Sequence, residues 1–236
     1  MIVLAFDTAT ADTAVGLRVA GTPVRAARHV PAPGERPGHG AVLLGLARGL
    51  LAEAGIGWAE VERIGVGTGP GSFTGLRIGV ATARALAQSG GQELVGISTL
   101  EALARRAAGE PGSAAAAGGE EGPNVLACLD ARRGEAFVGA WRHGSLLLAA
   151  RAVAPDDLAG LLLSTPGRWR AVGDGSVRFR AQLEAAGAHV APDGSPLHHV
   201  DGGRLCELAL TASPAGRDTL EPDYARAPDA VPKHLR

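Results

Sequence analysis

The stretch GPGSFTGLRIGVATARALA, Gly69 to Ala87, joins a glycine-rich loop to a helical pattern. Gly69, Gly71 and Gly75 allow a tight turn, and Ser72 or Thr74 can cap the helix that follows. Backbone amides at a helix start attract anions, so phosphate binding is the first chemistry to weigh. The stronger phosphate signatures are missing. A Walker loop ends in Gly-Lys-Ser/Thr, whereas Gly75 is followed by Leu76 and Arg77, and a GxGxxG pattern fails at Thr74. The alternative is a tight strand-to-helix corner. Asp7 is the best single candidate for a reacting group, since it closes the first apolar run and is followed by Thr8 and Thr10. It can serve chemistry or hold its own turn by accepting local amides. Asp130 stands at the matching place in the second half and is read the same way.

Other catalytic templates have no anchor. Lys233 is the only lysine, which leaves no Schiff-base or phosphate-gripping lysine in the body of the chain. There is no GxSxG elbow, no HExxH and no pair of histidines four apart. His198 and His199 are adjacent and read as loop residues, while His39 stands alone before a helix as a surface or capping residue. Cys128 and Cys206 lack metal-like spacing and fit a reducing compartment.

The elements that position these residues fall into two similar halves. IVLAFDT, TAVGLRV and VRAARHV read as a strand meander, followed by a helix from Ala41 to Ala54 closed by Gly55. Val61–Thr68 is a strand, Leu76–Ser89 a helix stopped by Gly90 and Gly91, and Glu93–Ser98 a strand. Thr99 reads as the N-cap of a helix running through Ala108. Residues 107–123, AAGEPGSAAAAGGEEGP, lose all periodicity and read as a flexible connector. VLACLD then repeats IVLAFD, again ending on an acid. An offset of 123 pairs Asp7 with Asp130, Val15 with Val138, Gly16 with Gly139 and Gly21 with Gly144. The expected organisation is an N-terminal lobe over 1–106, the connector over 107–123 and a C-terminal lobe over 124–236, with any ligand cleft between the lobes.

Two helices carry bare stripes. Gly75, Gly79, Ala83 and Ala87 recur every fourth residue, as do Ala41, Gly45 and Gly49. Glycine inside a helix costs ~0.5–1 kcal/mol against alanine, so close packing should offset it. The stripes can pack on each other within one chain, or on a second protein. Both helices are apolar on more than one side, which favours the second protein. The expected contact residues are Leu43, Leu44, Ala47, Leu76, Arg77, Gly79, Val80, Ala83 and Arg84.

Charge and composition narrow the class. The net charge is −1 with a pI near 6.7, and 46% of residues are hydrophobic. That balance fits a globular protein without the basic footprint of a free-standing nucleic-acid binder, Arg132 and Arg133 being a local exception. No apolar run approaches the ~18 residues of a membrane span, and the N-terminus lacks a signal-peptide layout, so a cytoplasmic protein is expected.

FDTAT, GPGSFTGLRIG, GISTLEALA (Gly96–Ala104), LDARRGE (Leu129–Glu135), GDG (Gly173–Gly175) and EPDYAR (Glu221–Arg226) occur in that order. Together they resemble the TsaB (YeaZ) family, which serves threonylcarbamoyladenosine synthesis in tRNA. The likeness is weakest over 107–123 and from Ala227 onward, and the surroundings of His39 diverge. The resemblance implies an α/β fold of two duplicated actin-like (ASKHA, ribonuclease-H-like) lobes, each a mixed sheet with flanking helices. It implies a non-catalytic subunit that binds a TsaD-like enzyme through helices of the first lobe, self-associates through the same surface and works with a TsaE-like ATPase. Metal and cofactor are not called for, no membrane is involved, and tRNA is met through the complex. Asp7, Thr8, Thr10, Gly69, Gly71, Ser72, Thr74 and Asp130 become a vestigial nucleotide cleft; Ala9 replaces the glycine usual at the first turn of actin-like kinases. Two rival readings are an ATPase or kinase using Asp7 with the Gly69–Gly75 loop, and a glycoprotease-like metallopeptidase.

Overall fold

The run IVLAFD has an apolar residue at every position before its terminal acid. It forms β1 (Ile2–Asp7), the middle strand of a five-stranded sheet in the computed structural model, which describes residues 1–32, 34–108 and 122–225. β2 (Thr13–Val19) and β3 (Arg25–His29) add antiparallel on one side. β4 (Arg63–Gly69) and β5 (Glu93–Ser98) add parallel on the other. The second half repeats this order around β6 (Asn124–Asp130). β7 (Ala136–Arg142) and β8 (Ser145–Val153) form the meander, and β9 (Trp169–Val172) and β10 (Ala188–Val190) the parallel side. The chain therefore has two lobes of matching strand order, each a mixed sheet with flanking helices, as expected of a duplicated α/β fold. The three-residue β10 escapes sequence reading because it is too short to show a period.

The repeat register needs one correction. Asp7 lies opposite Ala14 and Asp130 opposite Ala136, an offset of 136 − 14 = 122 on the second strand. Gly16 thus corresponds to Val138, and the Gly16–Gly139 match is one residue out, which in a strand means the opposite face. The two glycines also do different work. A Cβ on Gly16 would overlap the Gly202 carbonyl, whereas one on Gly139 would press on the Trp141 ring.

α1 (His39–Ala54) and α2 (Phe73–Gly90) cover one face of the first sheet. Leu43, Leu50, Val80 and Ala83 pack there on Leu4, Phe6, Leu17, Ile64 and Val66. Gly55 (φ 71°) and Gly91 (φ 74°) end these helices in the left-handed conformation, and Ser72 caps α2 by accepting the Gly75 N–H at 3.3 Å. α3 (Thr99–Ala108) lies on the opposite face, and its cap differs from expectation. Ser98, not Thr99, accepts the Glu101 N–H at 3.2 Å, because the Thr99 hydroxyl is committed elsewhere. α4 (Leu158–Leu163), α5 (Asp174–Arg178) and α6 (Arg180–Ala185) belong to the second sheet. α7 (Gly202–Thr211), capped by Asp201, returns to the first sheet and packs on β1, β2 and β4.

One apolar cluster crosses between the lobes. Val3, Ala5, Val95 and Ile97 of the first sheet meet Leu100 and Leu103 of α3, Leu205 and Ala209 of α7, and Val125, Ala127 and Trp141 of the second sheet. The connector expected over 107–123 falls mainly on residues 109–121, outside the described residues. Among the described residues no helix is long and apolar enough to cross a membrane.

Candidate functional site

Asp7 sits at the end of β1 and is 1% exposed. Its Oδ1 accepts the Ala9 N–H at 2.7 Å, and its Oδ2 accepts the Thr99 hydroxyl at 2.7 Å. Gly67 on the neighbouring strand leaves room for the carboxyl, since a Cβ there would overlap Oδ2. Burial pushes the carboxyl above its ordinary value, against the two hydrogen bonds, and Asp12 adds to the rise. Both oxygens are thus spent on holding the turn and α3 in place.

The raised value fixes a pH dependence. A carboxyl that holds its proton more tightly when folded stabilises the fold at acid pH, and that stabilisation fades as pH climbs from near 3.8 through the folded value. Asp7→Asn can still accept from Ala9 and can donate to Thr99 instead. We expect melting curves from pH 4 to 8 to shift in favour of Asp7→Asn as pH rises. Parallel curves would refute the assignment.

The glycine stripe of α2 fits around the next two residues. A Cβ on Gly75 would overlap the Thr8 carbonyl oxygen, one on Gly79 the Thr8 hydroxyl, and one on Gly71 the Ala9 carbonyl. The Thr8 hydroxyl donates to the Gly75 carbonyl at 2.8 Å. The bare stripe is therefore a notch for the chain's own first turn. Of the expected contact residues, Leu43, Ala47, Leu76, Gly79, Val80 and Ala83 are buried inside this chain, so the expectation is corrected for them. Arg77 is exposed but turns to the interlobe cleft, and the partly exposed Arg84 pairs with Asp218 at 3.6 Å. Leu44, 47% exposed, stays on the outer surface of the first lobe. It borders a groove of about 750 Å³ with Ala41, Gly45, Arg48, Trp58 and Leu86. Gly45 and Gly49 have nothing within 4 Å of a would-be Cβ.

A second hollow, about 770 Å³, opens between the lobes. Of the residues named for a cleft, Thr10, Gly71, Ser72, Thr74 and Asp130 line it, whereas Asp7, Thr8 and Gly69 are buried and do not. Asp130 repeats the Asp7 turn, its Oδ1 accepting the Arg132 N–H at 2.8 Å. Its Oδ2 pairs with Arg178 at 2.7 Å, and its own N–H donates to Asp174 at 3.0 Å. His39 is buried rather than superficial, bonding Thr13 at 2.8 Å through Nδ1, and burial holds its imidazole below the ordinary value. Both cysteines are free and buried, and burial pushes each thiol up, so neither is a ready nucleophile. Among the described residues no group of three or more His, Cys, Asp or Glu is placed to hold a metal ion.

Sequence reasoning missed Phe73 and Tyr224 in the cleft, and Thr99 and Gly67 around Asp7. Gly67 carried a signal, as a glycine inside an otherwise apolar strand marks a close approach. Tyr224 carried none, because its partner Arg77 is 147 residues away in sequence.

The geometry matches known proteins closely. The family model described as "TsaD: tRNA N6-adenosine threonylcarbamoyltransferase" matches residues 34–173. The Escherichia coli "tRNA threonylcarbamoyladenosine biosynthesis protein TsaB" is 32% identical over 183 residues, covering 74% of this chain and 72% of that protein. The structure of YeaZ from Pseudomonas aeruginosa superimposes with a TM-score of 0.75 at 26% identity, covering 94% of this chain and 99% of that one. A P. aeruginosa protein "with similarity to peptidase YEAZ" gives 0.76 at 29% identity, over 95% and 99% of the two chains.

Proposed function

The chain belongs to the TsaB (YeaZ) family, and from that membership we propose that it serves threonylcarbamoyladenosine formation in tRNA as a non-catalytic subunit. It binds and activates a TsaD-like enzyme and works beside a TsaE-like ATPase. The observation that carries this reading is the outer face of α1. Gly45 and Gly49 weaken that helix by ~0.5–1 kcal/mol each, and among the described residues nothing uses the space they leave. Beside them, Leu44 stands exposed on the lip of an apolar groove with Arg48 at its edge. A partner's helix or loop laid there offsets the glycines and covers Leu44, and a second copy of this chain can use the same face.

A role without catalysis is supported by the acids. Asp7 and Asp130 hold turns, so an actin-type ATPase would lack its free carboxylate.

Leu44→Arg tests the proposal. Leu44 has no structural role in the monomer core, so the melting temperature should hold within experimental error. Affinity for the host's TsaD-like enzyme should fall by roughly 10–100-fold, as for loss of an apolar anchor worth ~1–3 kcal/mol. Unchanged co-purification and unchanged gel filtration would refute this face as the docking surface.

A further inference from the structure

The motif EPDYAR takes no part in the docking surface, yet the fold lays it on the motif GPGSFTGLRIG. After α7 the chain turns back and runs from Ser213 to Ala225 along the first lobe without helix or extended strand. The Ala215 N–H donates to the Leu94 carbonyl at 2.7 Å, a single antiparallel bridge on β5, the end strand of its sheet. Leu220 enters the core cluster that holds Leu94, Ala83 and Ala87. The Asp223 N–H donates to the Thr68 carbonyl at 2.7 Å. Asp218 lies 3.6 Å from Arg84, and the Tyr224 hydroxyl accepts from Arg77 Nε at 3.1 Å. The segment thus flanks α2 over about two turns.

The first lobe is cut to receive this segment. A Cβ on Gly96 would stand 2.8 Å from Leu220 Cδ1, and one on Gly69 2.5 Å from the Asp223 carbonyl. The charges also match: Asp218, Glu221 and Asp223 outnumber Arg217, and the flank of α2 presents Arg77 and Arg84. The hold is nevertheless sparse. Of residues 213–225 only Leu220 is buried. A segment with one buried anchor and exposed backbone bonds opens locally while the rest of the fold stays closed.

We propose that residues 213–225 are a releasable strap, occupying within the chain a site that takes an extended acidic segment of a partner protein. The site comprises the edge of β5, the pocket that holds Leu220 and the arginine flank of α2. An incoming segment adds along the β5 edge, seats an apolar side chain in the pocket and sets its acids against Arg77 and Arg84. The docked strap blocks that surface and covers an edge that would otherwise be open to pairing. This face lies away from Leu44 and its groove, so the proposal stands apart from the docking of a TsaD-like enzyme.

The test uses the full chain and, as probe, a fluorescein-labelled peptide of the strap sequence, SPAGRDTLEPDYA. In the parent the tethered strap competes at an effective concentration of about 1 mM. Leu220→Ala removes its anchor, so the peptide should bind that variant at least tenfold more tightly than the parent. The amides of Ala215 and Asp223 should exchange at least tenfold faster in Leu220→Ala, while those of β4 and α7 keep their protection. A peptide carrying Asp218→Asn, Glu221→Gln and Asp223→Asn should bind at least fivefold more weakly than the acidic one. Should Leu220→Ala not fold, Tyr224→Ala loosens the strap from its half-exposed end, and the same comparisons are read there. The proposal is overturned if the peptide binds the loosened chain no more tightly than the parent, or if the neutral peptide binds as well as the acidic one. It is equally overturned if the Ala215 and Asp223 amides of the parent exchange only together with those of β4.

Discussion

Replacing Gly75 with alanine is expected to lower stability by about 3 kcal/mol and the melting temperature by roughly 6–12 °C. The added methyl would overlap the Thr8 carbonyl, a backbone atom fixed between β1 and α2, so no side chain can swing aside. The matching change on the other helix has the opposite sign. Gly45→Ala meets nothing within 4 Å, and should stabilise by ~0.5–1 kcal/mol through better helix propensity. Thermal melts of the two variants side by side decide the matter. If Gly75→Ala melts with the parent, the notch around Thr8 is wrong. A bulky residue at Gly79 is unsuitable for probing partner binding for the same reason, since it would displace the Thr8 hydroxyl before any partner arrived.

Arg63→Met should cost a similar amount, about 3 kcal/mol. This arginine is almost wholly buried, and its Nη1 donates to the carbonyls of Ala209 at 2.8 Å, Leu210 at 3.1 Å and Ala212 at 3.4 Å. Those groups close α7, where a cation also favours the helix dipole. Nε and Nη2 meanwhile hold Glu93 at 2.8 and 2.6 Å. Methionine fills the volume but leaves the last carbonyls without their donor. Hydrogen exchange should show the amides of α7 released before those of β1 and β4. Uniform loss of protection across the first lobe would contradict a local clasp. Arg63→Lys should fall between, because one ammonium cannot reach both the helix end and Glu93 in fork geometry.

The lobes were readable because strand signals are local. IVLAFD and VLACLD announce their buried strands, and Gly55 and Gly91 announce the helix ends through a conformation few other residues adopt. What each stripe faces is a long-range fact. The period of four at Gly75, Gly79 and Ala83 shows a bare face but cannot say that Thr8 fills it. Nor can the same spacing at Gly45 and Gly49 say that nothing does. Arg77 looked like the rim of a contact patch from its neighbours; only the fold brings it to Tyr224. Thr99 looked like a cap from its place before a helix, and the carboxyl of Asp7 claims it instead. His39 had no sequence partner to reveal its burial, because Thr13 lies two strands earlier in the chain.

α7 starts at Gly202, yet it covers a sheet that begins at Ile2. Ribosomes add ~5–20 residues per second, so β1 waits roughly 10–40 s for its lid. During that interval Val3, Ala5 and Ala14 form a greasy surface on the nascent chain with no cover of their own. The first half therefore emerges as a natural client for holding chaperones, and a translation product cut short before Gly202 has nothing to replace the missing helix.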